Sequence, residues 1–464
     1  MSAAPPATLR FCGRDLPLDA ERVDCVNVGV DDLAPLARLT RLRELRLRIT
    51  DPHRQIAHRL ADLAPLAALH DLEVLELAQS AVADLAPLAA LGKLRRLDLG
   101  HTRVEDLAPL AGLSQLTRLD LAATPVADLA PLRGLAALRE LDVSHTGVED
   151  LRPLQGLSRL SKLILNDTPV ADLSPLAALP AFTAAETLDL SGTRLQTLDG
   201  LEKAVRLKDL RLLYAPVADL GALRALTGLE SLRLDGTGVR DLAPLAGLTR
   251  LQNLTLSGTA VEDLSALAGL AALRTLDLER TAVNDLRPLA ARTGLAELSL
   301  AGTPVADLAP LAALTGLRQL QLQGTRVEDL TPLAGLTGLE GLNLEWTPVA
   351  NLAPLGRLAG LTWLNLGHTR VRDLTPLSGL PRLADLWLSA TAVRDLTALA
   401  RLPGLQRLYL DETAVADLTP LAGLPELLFL DLREAPVASE QVAEIERRRP
   451  GLTVALAPPT RPRK

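Results

Sequence analysis

The chain has 464 residues, of which 48% are hydrophobic but only 2% aromatic, and it carries a formal net charge of −7. Mixed-sign charge with an acidic balance excludes a nucleic-acid groove, which needs concentrated Lys and Arg. Asp, Arg or Pro interrupts every Leu-rich stretch before the ~18 apolar residues of a membrane span are reached, so no membrane partner is expected.

Residues 1–40 read as an N-terminal cap and degenerate first repeat. Met1 to Gly13 lacks the apolar core of a secretory signal and carries Pro5 and Pro6, which makes a reducing cytoplasm the expected location. Val23 and Cys25 fall on core positions, followed by Asp32, Leu33 and Pro35. In that compartment Cys12 and Cys25 are expected to stay unpaired, Cys25 as a core residue.

Residues 41–438 form an array with a period of 22 residues, seen on aligning Leu94–Leu113 with Leu116–Leu135. A Thr column marks it at 102, 124, 146 and 168, resumes at 193, has Ala215 once in its place, and then runs from 237 to 413. Ser80 and Thr50 precede this column and Ala435 ends it. Two local insertions, near 51–60 and 180–186, break the period. The first (DPHRQIAHRL) reads equally well as a binding loop at the rim or as an extra helical turn packed on a neighbour.

Within each unit, LxxLxL has the period-2 alternation of a short strand with leucines turned inward. After it comes TxVxDL, whose Asp column includes Asp84, Asp106 and Asp128, with Thr197, Asn351 and Ser439 in three repeats. These side chains accept hydrogen bonds from the free N–H groups that open a helical turn. Pro87, Pro109 and Pro131, three residues on, suit its first turn, so a short 3₁₀ or α turn is predicted. A unit this small cannot bury its own apolar face, and stacking on neighbours should yield one continuous curved parallel sheet. Ser439, Glu440–Arg449 and Leu452–Leu456 predict a helix–strand cap over 439–456. The tail 457–464 (APPTRPRK) is expected to be disordered.

These residues resemble the leucine-rich-repeat family, with Thr in place of its Asn or Cys. The DLxPL unit is similar to the subclass that includes bacterial internalins and a regulatory subunit of eukaryotic protein phosphatase. The resemblance implies an α/β solenoid, a right-handed horseshoe with a parallel sheet on the concave face and short 3₁₀/α turns on the convex face. It also implies a protein partner bound on the concave sheet.

Residues between the inward leucines, at six, four, two and one positions before the Thr column, should face the hollow. Six of the eight aromatic residues fall there: Tyr214, Trp346, Trp363, Trp387, Tyr409 and Phe429. Clustered exposed aromatics mark binding sites, and Trp, Tyr and Arg dominate interface hot spots. The expected partner-binding residues are therefore Trp346, Trp363, Trp387, Tyr409 and Phe429 with His368, Arg370 and Arg407. The competing reading is cross-strand stacking that only fills the narrow end of the hollow.

A second column, Glu76, Asp98, Asp120 and Asp142, reads as a solvated row in which Arg96 pairs with Asp98 and Arg118 with Asp120. Its carboxylates repeat on every strand instead of converging on one substrate, and His101 and His145 lie two strands apart. No enzyme, cofactor or metal site is expected. The leading expectation is a non-enzymatic, monomeric protein-binding scaffold. A secreted bacterial effector, or the recognition subunit of a larger toxin or ligase system, is the alternative; the Ala, Leu and Arg bias fits a GC-rich bacterial gene and is compatible with either.

Overall fold

The computed structural model describes residues 8–50 and 59–456. Most of the first insertion and the expected disordered tail lie outside the described residues. The chain divides into two compact units, 1–229 and 230–464.

The first unit opens with an antiparallel hairpin, Thr8–Phe11 against Arg14–Pro17. Cys12 and Gly13 form its turn with φ of +48° and +74°, the pair of positive values that a two-residue hairpin turn demands. Cys12 is disulfide-bonded to Cys25 on the following strand, Arg22–Val26. The expectation of unpaired cysteines is corrected: the turn brings the two Cα atoms to 5.9 Å, within bridging reach. Cys25 is also buried, as a core residue should be.

Among the described residues, seven parallel strands follow, from Arg22–Val26 to Lys162–Ile164. Inward leucines pair in register, as Leu97 with Leu119, and are essentially inaccessible. Each such leucine contributes roughly 1.5–3 kcal/mol relative to exposure.

Lys162–Ile164 and Thr187–Asp189 belong to different sheets, so the ladder is not continuous through this unit as the repeat pattern implied. The cause is the second insertion, whose extra residues form a short α-helix, Pro180–Thr183, with Phe182 buried. Leu163 loses cover there and is half-buried, unlike its counterparts Leu141 and Leu119. Thr187–Asp189 pairs in turn with Asp209–Arg211.

The second unit is an uninterrupted parallel series from Ser231–Arg233 to Thr453–Ala455. Strands in both units alternate with short 3₁₀ turns such as Ala108–Leu110 and Ala309–Leu311, Pro falling in the first turn. The Asp column works as an Asx turn. Asp106 Oδ1 accepts the Ala108 N–H at 2.8 Å, and Asn351 does the same for Ala353 at 3.0 Å. The residue that flanks the turn is the intervening leucine, so Asp sits one position farther out than a cap.

The Thr column closes the strand end. Thr102 Oγ1 donates to the Leu99 carbonyl at 2.6 Å, and Thr303 to that of Leu300 at 2.6 Å. The hydroxyl thus serves a turn within its own repeat, not a ladder between repeats.

At the far end an α-helix spans Ser439–Arg448 and buries Val442 and Ile445. Gln441 Oε1 accepts the Leu418 N–H at 2.8 Å. Ser439 is the first helical residue and makes no capping bond, contrary to its reading as a cap, because extended Ala438 takes the entry position. Thr453–Ala455 then pairs with Phe429–Asp431 and covers an edge that would otherwise be open.

Candidate functional site

In the second unit the strands Gly341–Asn343, Trp363–Asn365, Asp385–Trp387, Arg407–Tyr409 and Phe429–Asp431 lie side by side in register. With strands ~4.8 Å apart, residues in equivalent positions meet directly. Trp387 and Tyr409 stack with ring centroids 5.1 Å apart and planes 9° from parallel. Trp363 meets Trp387 edge-on at 6.4 Å and 87°, and Phe429 lies tilted against Tyr409 at 5.3 Å. The four rings form one chain of contacts, all half-buried. They spend part of their own surface on each other, as the filling alternative also requires.

Trp346 differs. It stands one position before Thr347, is 62% exposed, and stacks on His368 with centroids 3.6 Å apart and planes 9° from parallel. Both residues have φ of +56°. Every residue immediately before the column from Ser80 to Ala435 is left-handed; Gly192, Gly236, Gly258, Gly302 and Gly324 occupy five of those positions. A bulky Trp there is an outlier that the surrounding turn must hold. Tyr214, in the first unit, has the same conformation and is 74% exposed.

Sequence reasoning missed Gly341. A Cβ built on it would lie 2.2 Å from Trp363 Cε2 and 2.1 Å from Gln319 Oε1, so the indole occupies the space a side chain would fill. The signal was present, because no other repeat has glycine six residues before the Thr column.

Of the arginines expected in the site, Arg407 is held by Asp385 through two parallel bonds, Nη2 to Oδ2 being 2.6 Å. Arg433 is held likewise by Asp431, at 2.7 Å. Arg370 is exposed but lies beyond the strand, past Thr369, where its N–H donates to the Val349 carbonyl.

The acidic column of the first unit departs from its reading as a solvated row. Asp98 and Asp120 are half-buried, in register with each other and with Glu76 and Asp142. Their Oδ1 atoms accept the N–H groups of Gly100 and Ala122, both at 3.0 Å. The arginines pair elsewhere, Arg96 with Glu76 at 3.3 Å and Arg118 with Glu140 at 3.1 Å, because those carboxylates lie across the strands. Burial, with Asp120 and Glu76 nearby, pushes the Asp98 carboxyl up to about 6; burial also raises Asp120. Among the described residues no cluster of His, Cys, Asp and Glu could hold a metal. No helix among them is long and apolar enough to cross a membrane.

A leucine-rich-repeat protein of Leptospira interrogans is similar in structure over 86% of this chain and 100% of its own, at 20% identity with a TM-score of 0.67. The fold is that of a leucine-rich-repeat solenoid. The plant peptide hormone receptor RGFR1 in complex with RGF2 shares this leucine-rich-repeat fold over 96% of this chain and 93% of its own, at 14% identity with a TM-score of 0.60. An internalin (inlF) from Listeria monocytogenes, 22% identical over 81% of this chain and 89% of its own, reaches a TM-score of 0.44, too low to add to the argument. No protein-family model and no curated protein matches the sequence.

Proposed function

We propose that this leucine-rich-repeat chain is a non-enzymatic, monomeric scaffold that binds another protein on its strand-borne face, with Trp346, Trp363, Trp387, Tyr409 and Phe429 as the hot spot. The observation that carries the reading is the unbroken chain of ring contacts from Trp363 to Phe429, in columns where other repeats have Asp, Ser and Asn. His368 supports it by stacking on Trp346. Arg407 and Arg370 contribute less, one through a charge already neutralised and the other from off the strand. That RGFR1 is seen in complex with RGF2 fits a binding role. The DLxPL period supports assigning the chain to the 22-residue subclass.

The test is a pull-down with the Trp363→Ala, Trp387→Ala double variant. It should keep its circular dichroism spectrum and melting temperature yet lose the partner; retention at wild-type strength removes the assignment.

A second reading, delivery outside the producing cell, is favoured by one observation. The Cys12–Cys25 bridge is of the kind that persists in an oxidising compartment, which favours this reading over a reducing cytoplasm. Fractionation of native cells combined with thiol labelling decides it: an exported protein appears outside with both thiols blocked.

A further inference from the structure

The strand Gln319–Gln321 and its continuation carry glutamine at each outward position, Gln319, Gln321 and Gln323, and no other repeat has an amide at all three. The fold does not ask for them. Four residues before the Thr column, Asn343 Oδ1 closes its strand end by accepting the Glu345 N–H at 3.0 Å, and Asn365 Oδ1 does so with Gly367 at 2.9 Å. Gln321, in the same column, is one methylene longer and closes nothing. Among the described residues none of the three glutamine side chains makes a hydrogen bond. Gln323 Oε1 is even buried without a partner, so its amide can turn outward without breaking a bond.

At the start of this strand an unused acceptor meets an unused donor. Gln319 Oε1 and Trp363 Nε1 crowd one point over Gly341, 2.1 and 2.3 Å from where its Cβ would stand. Among the described residues neither atom makes a hydrogen bond, and both stay open to solvent. Gly341 has no side chain to cover them.

Spacing says what such a row fits. Residues two apart on a strand stand ~6.7 Å from each other, and an extended peptide turns the N–H and C=O of every second residue to one side at the same interval. A primary amide both donates and accepts, so each glutamine can serve one N–H and one C=O. The row carries no charge, and a charged side chain pressed against it would lose water without gaining a counter-ion.

Building on the protein-binding reading, we infer that the partner lies along this strand as an extended, uncharged segment whose backbone is held by Gln319, Gln321, Gln323 and the Trp363 indole N–H. The three amides span four residue rises, ~13 Å, so about five partner residues are in contact. At the far end Gly302 and Gly324, adjacent and without side chains, leave the path open.

The full-length protein is titrated with an end-capped octapeptide of alternating Ala and Thr, with the same peptide N-methylated at every inner residue, and with cellohexaose as a neutral sugar chain. Tryptophan emission is the readout, because Trp363 borders the row. The unmodified peptide should change it saturably and without dependence on salt. N-methylation, which removes the backbone donors and keeps the side chains, should weaken binding about tenfold or more, and the sugar should give no response. The Gln319→Thr, Gln321→Thr, Gln323→Ser variant should also bind the peptide about tenfold more weakly, a net hydrogen bond being worth a factor of roughly 2–10. Other strands of this unit carry the same residues at these positions, as Thr275, Thr255 and Ser257, so the fold is kept. The inference is overturned by no saturable change at millimolar peptide, by an equal response to the methylated peptide, by unchanged affinity in the variant, or by a response to the sugar alone. None of these outcomes touches the scaffold reading, which stands or falls with the loss of the native partner by the tryptophan double variant.

Discussion

The indole of Trp363 occupies the space that a side chain on Gly341 would need. Glycine inside a strand is normally a loss of packing and entropy, and here it seats the first ring of the chain. Gly341→Ala should therefore push Trp363 off the neighbouring strand. Overpacking of this kind costs about 1–3 kcal/mol, part of it recovered by rotation of the indole. A shift in tryptophan emission and roughly tenfold weaker partner binding are expected, the latter about 1.4 kcal/mol. Wild-type emission and affinity would show that Gly341 positions nothing.

The Thr column offers a test in both directions. Leu300 O receives a hydroxyl and an N–H from Thr303, whereas in the Ala215 repeat, among the described residues, Leu212 O receives the Ala215 N–H alone, at 3.1 Å. Ala215→Thr should stabilise the protein by about 1 kcal/mol, because a threonine fits the equivalent buried place in neighbouring repeats. Thr303→Val should destabilise it by about the same amount, read by urea unfolding.

Acidification should help this protein before it harms it. Asp98 titrates at about 6 in the fold against 3.8 in the free chain. Between those values the native state holds the extra proton, so stability falls as pH rises from about 4 to 6 and stays low above. A difference of that size is worth on the order of 2–3 kcal/mol at most. Asp150 and Asp285, held at about 2 by Arg152 and Arg287, act oppositely and only below about pH 4. Asp98→Asn should thus raise the melting temperature at pH 7.5 and lose that advantage at pH 4.5. An equal gap at both pH values would assign the effect to packing.

Much of the fold was legible because each column has one job in every repeat. Leucine alternation, Asx turns and prolines in the first turn all repeat their geometry with their residue type. What escaped were features that occur once. The Cys12–Gly13 turn is a local hairpin signal outside the period, and with it the bridge to Cys25 was misread. The break beside Leu163 follows from three extra residues whose helical conformation the repeat pattern cannot supply. In the site, the positions of the rings were readable from spacing, but ring orientation depends on the neighbour's size, as Gly341 shows. The partners of Arg96 and Arg118 depend on which carboxylate lies across the strand instead of two residues along it.

The bridge at the start should act locally. In a solenoid each repeat contacts only its neighbours, so releasing one end loosens that end first. Reduction, or Cys12→Ala with Cys25→Ala, should cost roughly 3 kcal/mol of local stability from a closed loop of this size. Hydrogen exchange should accelerate over residues 8–26 while the strands from Val74–Glu76 onward keep their protection. Uniform acceleration along the chain would mean that the hairpin is part of one cooperative unit.

Trp346 separates stability from binding. Its φ of +56° is strained for a bulky side chain and free of cost for the glycines that hold five equivalent positions. Its ring is largely exposed, so little burial is lost when it is removed. Trp346→Gly should leave stability unchanged or raise it by up to about 1 kcal/mol while reducing partner affinity. Trp346→Ala removes the same ring without relieving the backbone, and should show the same loss of affinity with no gain in stability. Should both variants bind as the wild type does, the ring is ornamental and the hot spot begins at Trp363. If Trp346→Gly were instead clearly destabilised, the stack on His368 would have to be holding the turn, and its conformation would have a structural reason.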